Sequence, residues 1–393
     1  MANKTINKIK QNRILLSGFS QLLVLLSSIL IIGPLIPLIS EDLKIGLDTI
    51  GSALSLSVLP LLLVTLGAGN LIELIGLKKV LYIGFGLSIA GLMMLYFSYS
   101  FPIFIVAYFL LRFGGGILFV GNFSIIGNMN PTRRTLNMIK LDIGPSAGFF
   151  VAPLIVSLIL FIKTDWQNFY LFSLILLLAL MIILWKTKMP KVVCTGSNLK
   201  TLFIANRRII SNTIFIICGM IVFFYFSVIN TFFMWFTSYF QNIGIEVSIS
   251  SLFLSIYGAS LFIGMIIRVK LIKHFKKKDV LLFGFIASFL LLIGILFIQD
   301  LVFKNILIFL FGIAIAGNFP IIFSIALGLF PEHINSASGL MFTFGNLGVM
   351  VFQYLSGYFS EYYSKSSVLY MNIAILLILI ILTSVLSYNK KFR

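Results

Sequence analysis

Runs of some twenty almost uninterrupted apolar residues recur along the whole 393-residue chain. Twelve can be bounded: 14–38, 50–72, 79–98, 101–126, 135–161, 167–186, 211–240, 248–272, 279–298, 302–329, 335–360 and 366–387. Each is long enough to cross about 30 Å of hydrocarbon as a helix. None alternates apolar and polar positions as a membrane barrel strand must. The pattern predicts an all-α integral membrane protein with twelve transmembrane helices.

Composition agrees. Hydrophobic residues make up 60% of the chain and charged residues 10%, against roughly 25% charged in a soluble domain. Soluble, disordered and disulfide-rich classes are excluded. The net charge of +18 could still signal nucleic acid, anionic lipid or membrane orientation. Its distribution decides. Of the 29 Lys and Arg, 24 fall in the termini, in alternate connections or in the span ends that border them, Lys44, Lys163, Lys304 and Lys365 fall on the other side, and Arg112 lies well inside a span. Acids lean the opposite way. This is the positive-inside bias, and it predicts a multi-pass protein of the cytoplasmic membrane with both termini in the cytoplasm. Charge spread over seven short segments is not a nucleic-acid module, though the basic connections should meet membrane lipid headgroups. The first span follows Lys4, Lys8, Lys10 and Arg13, but it is too long for a signal peptide and lacks a cleavage site, so an uncleaved anchor is expected.

The longest basic connection contains Pro190, Gly196 and Ser197 and reads as a linker, 187–210, between six-span halves at 1–186 and 211–393. The halves repeat each other. VLYIGF at 80–85 matches VLLFGF at 280–285; GNFSII at 121–126 matches GNFPII at 317–322; GLD at 46–48 matches GIE at 244–246. All three offsets lie close to 200 residues, and each match falls in or just before the corresponding span. Two parallel six-helix bundles related by pseudo-symmetry, with a site near the midplane, are the architecture of alternating-access transporters.

Gly69, Glu73, Gly76, Lys78 and Lys79 between spans two and three resemble the loop signature of the major facilitator superfamily, with Glu73 in the usual Asp place. Arg112 with Gly116 resembles a second signature of that superfamily. Gly144, Gly148, Ala152 and Pro153 resemble its glycine-proline motif. The NFPIIFS segment at 318–324, Gly339, Gly345, Asn346 and Gly348, with Asn122, Leu136 and Asn137, is similar to the fucose/glucose-type sugar permeases. That resemblance implies a secondary transporter of the rocker-switch type and, as solute, a sugar moved with protons or another coupling ion. The acids that group uses in its first and fourth helices are replaced here by Gly33 and Leu118.

Few residues within the spans can carry the chemistry. A charge at the bilayer centre costs at least ~2.5–3.5 kcal/mol, so Arg112 needs a partner. That partner is either an anionic group of a solute or a titrating carboxylate in a cavity, or else the backbone carbonyls of a broken first span. Asp142, roughly 10 Å from the end of its helix, is either a proton carrier or half of a gate salt bridge with Arg112 or Lys140. Gln21, Asn122, Asn137, Asn230, Asn318, Asn346 and Gln353 offer paired donors and acceptors for hydroxyl groups, and Tyr225, Trp235 and Tyr354 offer ring faces. The same amides could equally glue helices together at ~0.6 kcal/mol each. Asn122 and Asn318 stand out as repeat mates. Pro34, Pro37, Pro60, Pro153 and Pro320 are expected to kink or end spans.

Other motifs are refused. Gly144, Ser146 and Gly148 fit a hydrolase elbow, but that needs a strand–turn–helix and a histidine base. His274 and His333 both fall in connections. No ATP-binding loop occurs, and Cys194 and Cys218 form no metal or disulfide pattern. The expectation is a monomeric transporter of a small hydrophilic organic solute, without cofactor or enzymatic activity; export of drugs or organic anions by proton antiport is the alternative, ahead of a membrane receptor or enzyme.

Overall fold

The computed structural model describes residues 2–45, 56–128, 133–162, 165–186, 206–245, 247–364 and 366–388. They form α1 (Ala2–Leu30), α2 (Ile32–Leu43), α3 (Val58–Ile75), α4 (Leu77–Tyr96), α5 (Phe101–Asn128), α6 (Arg134–Ile162) and α7 (Gln167–Lys186) in one half. The other half holds α8 (Thr213–Asn242), α9 (Val247–His274), α10 (Lys277–Phe297), α11 (Leu301–Ile315), α12 (Asn318–Gly328), α13 (Ile334–Tyr362) and α14 (Ser367–Tyr388). Two spans are interrupted, between α1 and α2 and between α11 and α12, so these helices make twelve spans in two six-span sets. Among the described residues, eight segments, from Leu77–Tyr96 to Ser367–Ser387, are long and apolar enough to cross a membrane on length and composition alone. Helices are the form apolar chains must take there, because lipid offers no hydrogen bonds to an open backbone. Large apolar side chains point outward as well as inward, with Phe283 72% and Phe297 80% exposed, as suits a lipid-facing surface.

The repeat is visible in the packing. Gly144 of α6 lies against the Phe19 backbone of α1, and Gly348 of α13 against the Phe223 backbone of α8. A Cβ at either glycine would collide with the phenylalanine carbonyl oxygen. Both partners are shifted by the same 204 residues. The glycines of the sequence motif thus let fifth span sit on first and eleventh on seventh.

The tenth span departs from the expectation that Pro320 kinks it. The chain breaks three residues earlier, at Gly317, whose φ of 76° is a left-handed value that glycine adopts without cost. Pro320 then occupies the first turn of α12, where a missing N–H removes nothing. Arg268 holds the break. In the sequence it groups with the basic residues of the connection that follows, yet it is only 3% exposed inside α9. Its Nε donates to the Ala316 carbonyl at 2.9 Å, Nη2 to Ala314 at 2.8 Å and Nη1 to Val280 at 2.9 Å. Two of these carbonyls end α11, so the guanidinium meets both the unpaired oxygens and the negative end of a helix. The Tyr225 hydroxyl of α8 donates to the intervening Ile315 carbonyl at 3.3 Å.

The halves meet chiefly along α6 with α9 and α3 with α13. At the end bearing Lys78, Lys79, Arg133 and Arg207, the hydrogen bonds that cross the seam join neutral side chains, with the buried Arg134 beside them. Thr135 Oγ1 lies 2.6 Å from Ser324 Oγ, and Asn128 Nδ2 donates to Asn335 Oδ1 at 2.9 Å. Arg134 Nε donates to the Gly127 carbonyl at 3.1 Å. Above them, Phe123 of α5 packs its ring 5.5 Å from Phe319, 5.3 Å from Phe323 and 5.3 Å from Phe342 of the other half. Residues 187–205 of the expected linker, the GLD triplet, Glu246 and Cys194 lie outside the described residues.

Candidate functional site

Between the halves lies a cavity with about 150 Å³ of room for the centres of water-sized molecules. A single water needs roughly 10–15 Å³ on that measure, so the space suits a small solute. One half contributes Leu26 and Ile29 (α1), Leu61 (α3), Arg112, Gly115, Gly116 and Phe119 (α5), and Asp142, Pro145, Ser146 and Phe149 (α6). The other contributes Tyr225, Phe226, Ile229 and Asn230 (α8), Leu261 and Met265 (α9), Ala316 and Phe319 at the helix break, and Phe342, Asn346 and Val349 (α13). The walls are aromatic and aliphatic, with a few polar groups aimed inward, the usual composition of a ligand site.

Arg112 and Asp142 both reach this cavity, but they do not pair: no nitrogen–oxygen approach falls within 4.0 Å. Arg112 is half-buried, with Nε 3.4 Å from Ser57 Oγ and the guanidinium carbon 5.5 Å from the centre of the Tyr108 ring. It makes no bond to carbonyls of the first span. Asp142 is 8% exposed, and among the described residues its carboxyl oxygens have no hydrogen-bond partner; only its backbone carbonyl is engaged, by Ser146 Oγ at 3.0 Å. Lys140 turns outward and is exposed, because two residues along a helix is a large angular step.

The amides divide. Asn346 is 8% exposed and lines the cavity without a partner among the described residues, and Asn230 lines it while Nδ2 donates to Phe226 at 2.9 Å. Asn122 is turned away: Nδ2 donates to Gln21 Oε1 at 3.0 Å and to the Leu118 carbonyl at 2.8 Å, and Gln21 Nε2 donates to Ser17. Its repeat mate Asn318 is fully buried, with neither amide atom hydrogen-bonded. Asn137 is buried outside the cavity lining, Gln353 is half-buried outside it, and Tyr354 is exposed. Trp235 lines a separate small apolar cleft with Phe232 and Tyr239.

In the loop motif, Gly69 lies within α3 and Gly76 (φ 89°) separates α3 from α4. Lys78 Nζ donates to the Trp185 carbonyl at 3.4 Å, and Lys79 is exposed. The Glu73 side chain lies outside the described set.

Sequence reading missed Ser146, Arg268 and the phenylalanines of the wall. Among 41 phenylalanines nothing marks those that line a cavity, with one exception. The repeated Gly-Asn-Phe places Phe123 and Phe319 ring to ring across the seam, so the motif was informative through its phenylalanine rather than its asparagine.

The model of the Major Facilitator Superfamily matches residues 18–352. No curated protein matches in sequence. Among solved structures, the transporter FucP in its outward conformation is similar at TM-score 0.77 and 17% identity, covering 96% of this chain and 98% of that one. FucP is described as an E. coli fucose:proton symporter. The human organic anion transporter MFSD10 is similar at TM-score 0.78 and 13% identity, with 95% and 99% covered. The proton:xylose symporter XylE gives TM-score 0.77 at 12% identity, with 95% of each chain covered. At such identities the likeness shows the fold.

Proposed function

The chain belongs to the Major Facilitator Superfamily, and on that premise we propose that it moves a small hydrophilic organic solute of the sugar class by rocker-switch alternating access. One observation carries the reading: a cavity between the two halves, walled by aromatic rings, into which Asn346 and Asp142 point without a side-chain hydrogen-bond partner among the described residues. Amides suit hydroxyl groups and ring faces suit sugar rings. In this reading the halves 1–186 and 211–393 rock about the linker at 187–210 in the cytoplasmic membrane. The basic face lies in the cytoplasm on the strength of the charge bias. The protein acts as a monomer.

Asp142 is assigned the coupling proton. The other charged or titratable groups sharing its cavity are Arg112 of α5 and Tyr225 of α8; Arg268 of α9 is engaged by backbone carbonyls, and Lys140 of its own helix faces away. In proteoliposomes, Asp142→Asn should lose accumulation driven by a pH gradient while keeping solute exchange. Unchanged accumulation in that variant rejects the assignment.

Arg112 favours a second reading, export of organic anions or drugs by proton antiport. Counterflow measured in both membrane orientations, with labelled hexose and with labelled organic anions, separates the two. Absence of flux for every solute would favour a receptor or enzyme on this fold.

A further inference from the structure

A neutral sugar would leave the most costly group of the cavity unanswered. The Arg112 guanidinium cannot lose its charge and carries five N–H donors. Here one donor reaches Ser57 at 3.4 Å and a face rests on Tyr108. Its two terminal nitrogens have no hydrogen-bond acceptor among the described residues, although the side chain is half withdrawn from solvent among apolar walls. Asp142, the one acid among the residues that line the cavity, does not pair with it. A planar fork of free donors is what a carboxylate engages through two parallel bonds, and such charge-assisted pairs gain strength where water is excluded. Beside it stand groups that a bare carboxylate would not use: the free Asn346 amide and the Asn230 carbonyl oxygen, both suited to hydroxyls.

We propose that the solute is a polyhydroxylated carboxylate, a sugar acid rather than the neutral sugar, with Arg112 as the residue that recognises its carboxylate. This rests on the reading of the cavity as the transport site. It reconciles the two readings above, since the hydroxyls meet Asn346 and Asn230 while the anionic end meets Arg112. With a proton on Asp142, the loaded cavity carries a substrate charge matched by Arg112 and no residual anion.

The test is a ligand-dependent thermal-stability titration of the purified full chain with matched pairs: glucose against glucuronate, galactose against galacturonate, and acetate as a carboxylate without hydroxyls. A sugar acid should stabilise at concentrations roughly tenfold or more below its neutral partner, the scale of one hydrogen-bonded charge. Acetate should be far weaker than the acid. Arg112→Gln should erase the preference. Equal or better binding of the neutral partner overturns the proposal while leaving the sugar reading intact, and so does a preference that survives Arg112→Gln. Binding by no member of the panel overturns both. The wild-type comparison decides even if the variant fails to fold.

Discussion

The repeat mates Asn122 and Asn318 show how identical residues acquire different roles from their neighbours. Asn122 is held by Gln21 and by the Leu118 carbonyl, which makes it structural glue between α1 and α5. Gln21 has no equivalent near Asn318, whose amide is buried with both atoms unpaired. An unsatisfied buried polar group costs about 1–3 kcal/mol, and replacing it with an apolar group of similar shape can be neutral or stabilising. Asn318→Leu should therefore leave the melting temperature unchanged or raise it. Asn122→Leu, which strands Gln21, should lower it. Differential scanning fluorimetry of the two variants checks the contrast, and equal losses in both would contradict it. Asp142 and Lys140 make the same point over a shorter distance: two residues apart, one faces the cavity and the other faces out.

At the scale of the element, the tenth span is the informative case. A helix broken within an apolar bundle exposes carbonyls that lipid cannot satisfy, and here Arg268 from α9 and Tyr225 from α8 satisfy them. The fourth span, its repeat mate, runs unbroken as α5 through Gly121. The asymmetry gives one half a cavity wall with an interrupted backbone at Ala316 and Phe319. Arg268→Met keeps much of the volume but removes three hydrogen bonds. It should cost several kcal/mol, at about 1–3 kcal/mol per stranded carbonyl, read as a large drop in melting temperature. Arg268→Lys should recover part of the loss at most, because a single ammonium cannot span the same fork. A variant as stable as wild type would show that the break does not depend on this brace.

For the molecule as a whole, the hydrogen bonds that cross the seam at the basic end are between neutral groups, capped by rings, with the buried Arg134 beside them. Thr135 with Ser324 and Asn128 with Asn335 sit beneath the cluster of Phe123, Phe319, Phe323 and Phe342. In the proposed rocker-switch cycle such contacts part when that face opens. Among the described residues no buried ion pair has to be broken and resolvated there, which is consistent with an equilibrium that solute binding can shift. Thr135→Cys with Ser324→Cys, in a Cys194→Ser background, brings two thiols within reach of a disulfide, given the 2.6 Å between the native oxygens. Oxidation should stop transport and a reductant should restore it. Full activity in the oxidised protein, with the crosslink verified on a gel, would place the moving seam elsewhere.

The amino-acid sequence by itself determined the class, the twelve spans, the pseudo-repeat and the charge bias. These follow from hydrophobic length and charge counts that each segment carries alone. It also picked out Arg112, Asp142, Asn230 and Asn346, because an ionisable or amide group inside an apolar span is conspicuous wherever it points. Only the tertiary structure decided which of the conspicuous groups meet. Asn122, Asn137 and Asn318 turn away from the cavity, Trp235 joins a different cleft, and Arg268 moves from a supposed surface segment to the brace of a broken helix. Helical rotation between neighbours and the depth at which a helix breaks are set by packing across the bundle. Glycine contacts such as Gly144 on Phe19 and Gly348 on Phe223 fix them, and no single segment encodes that geometry.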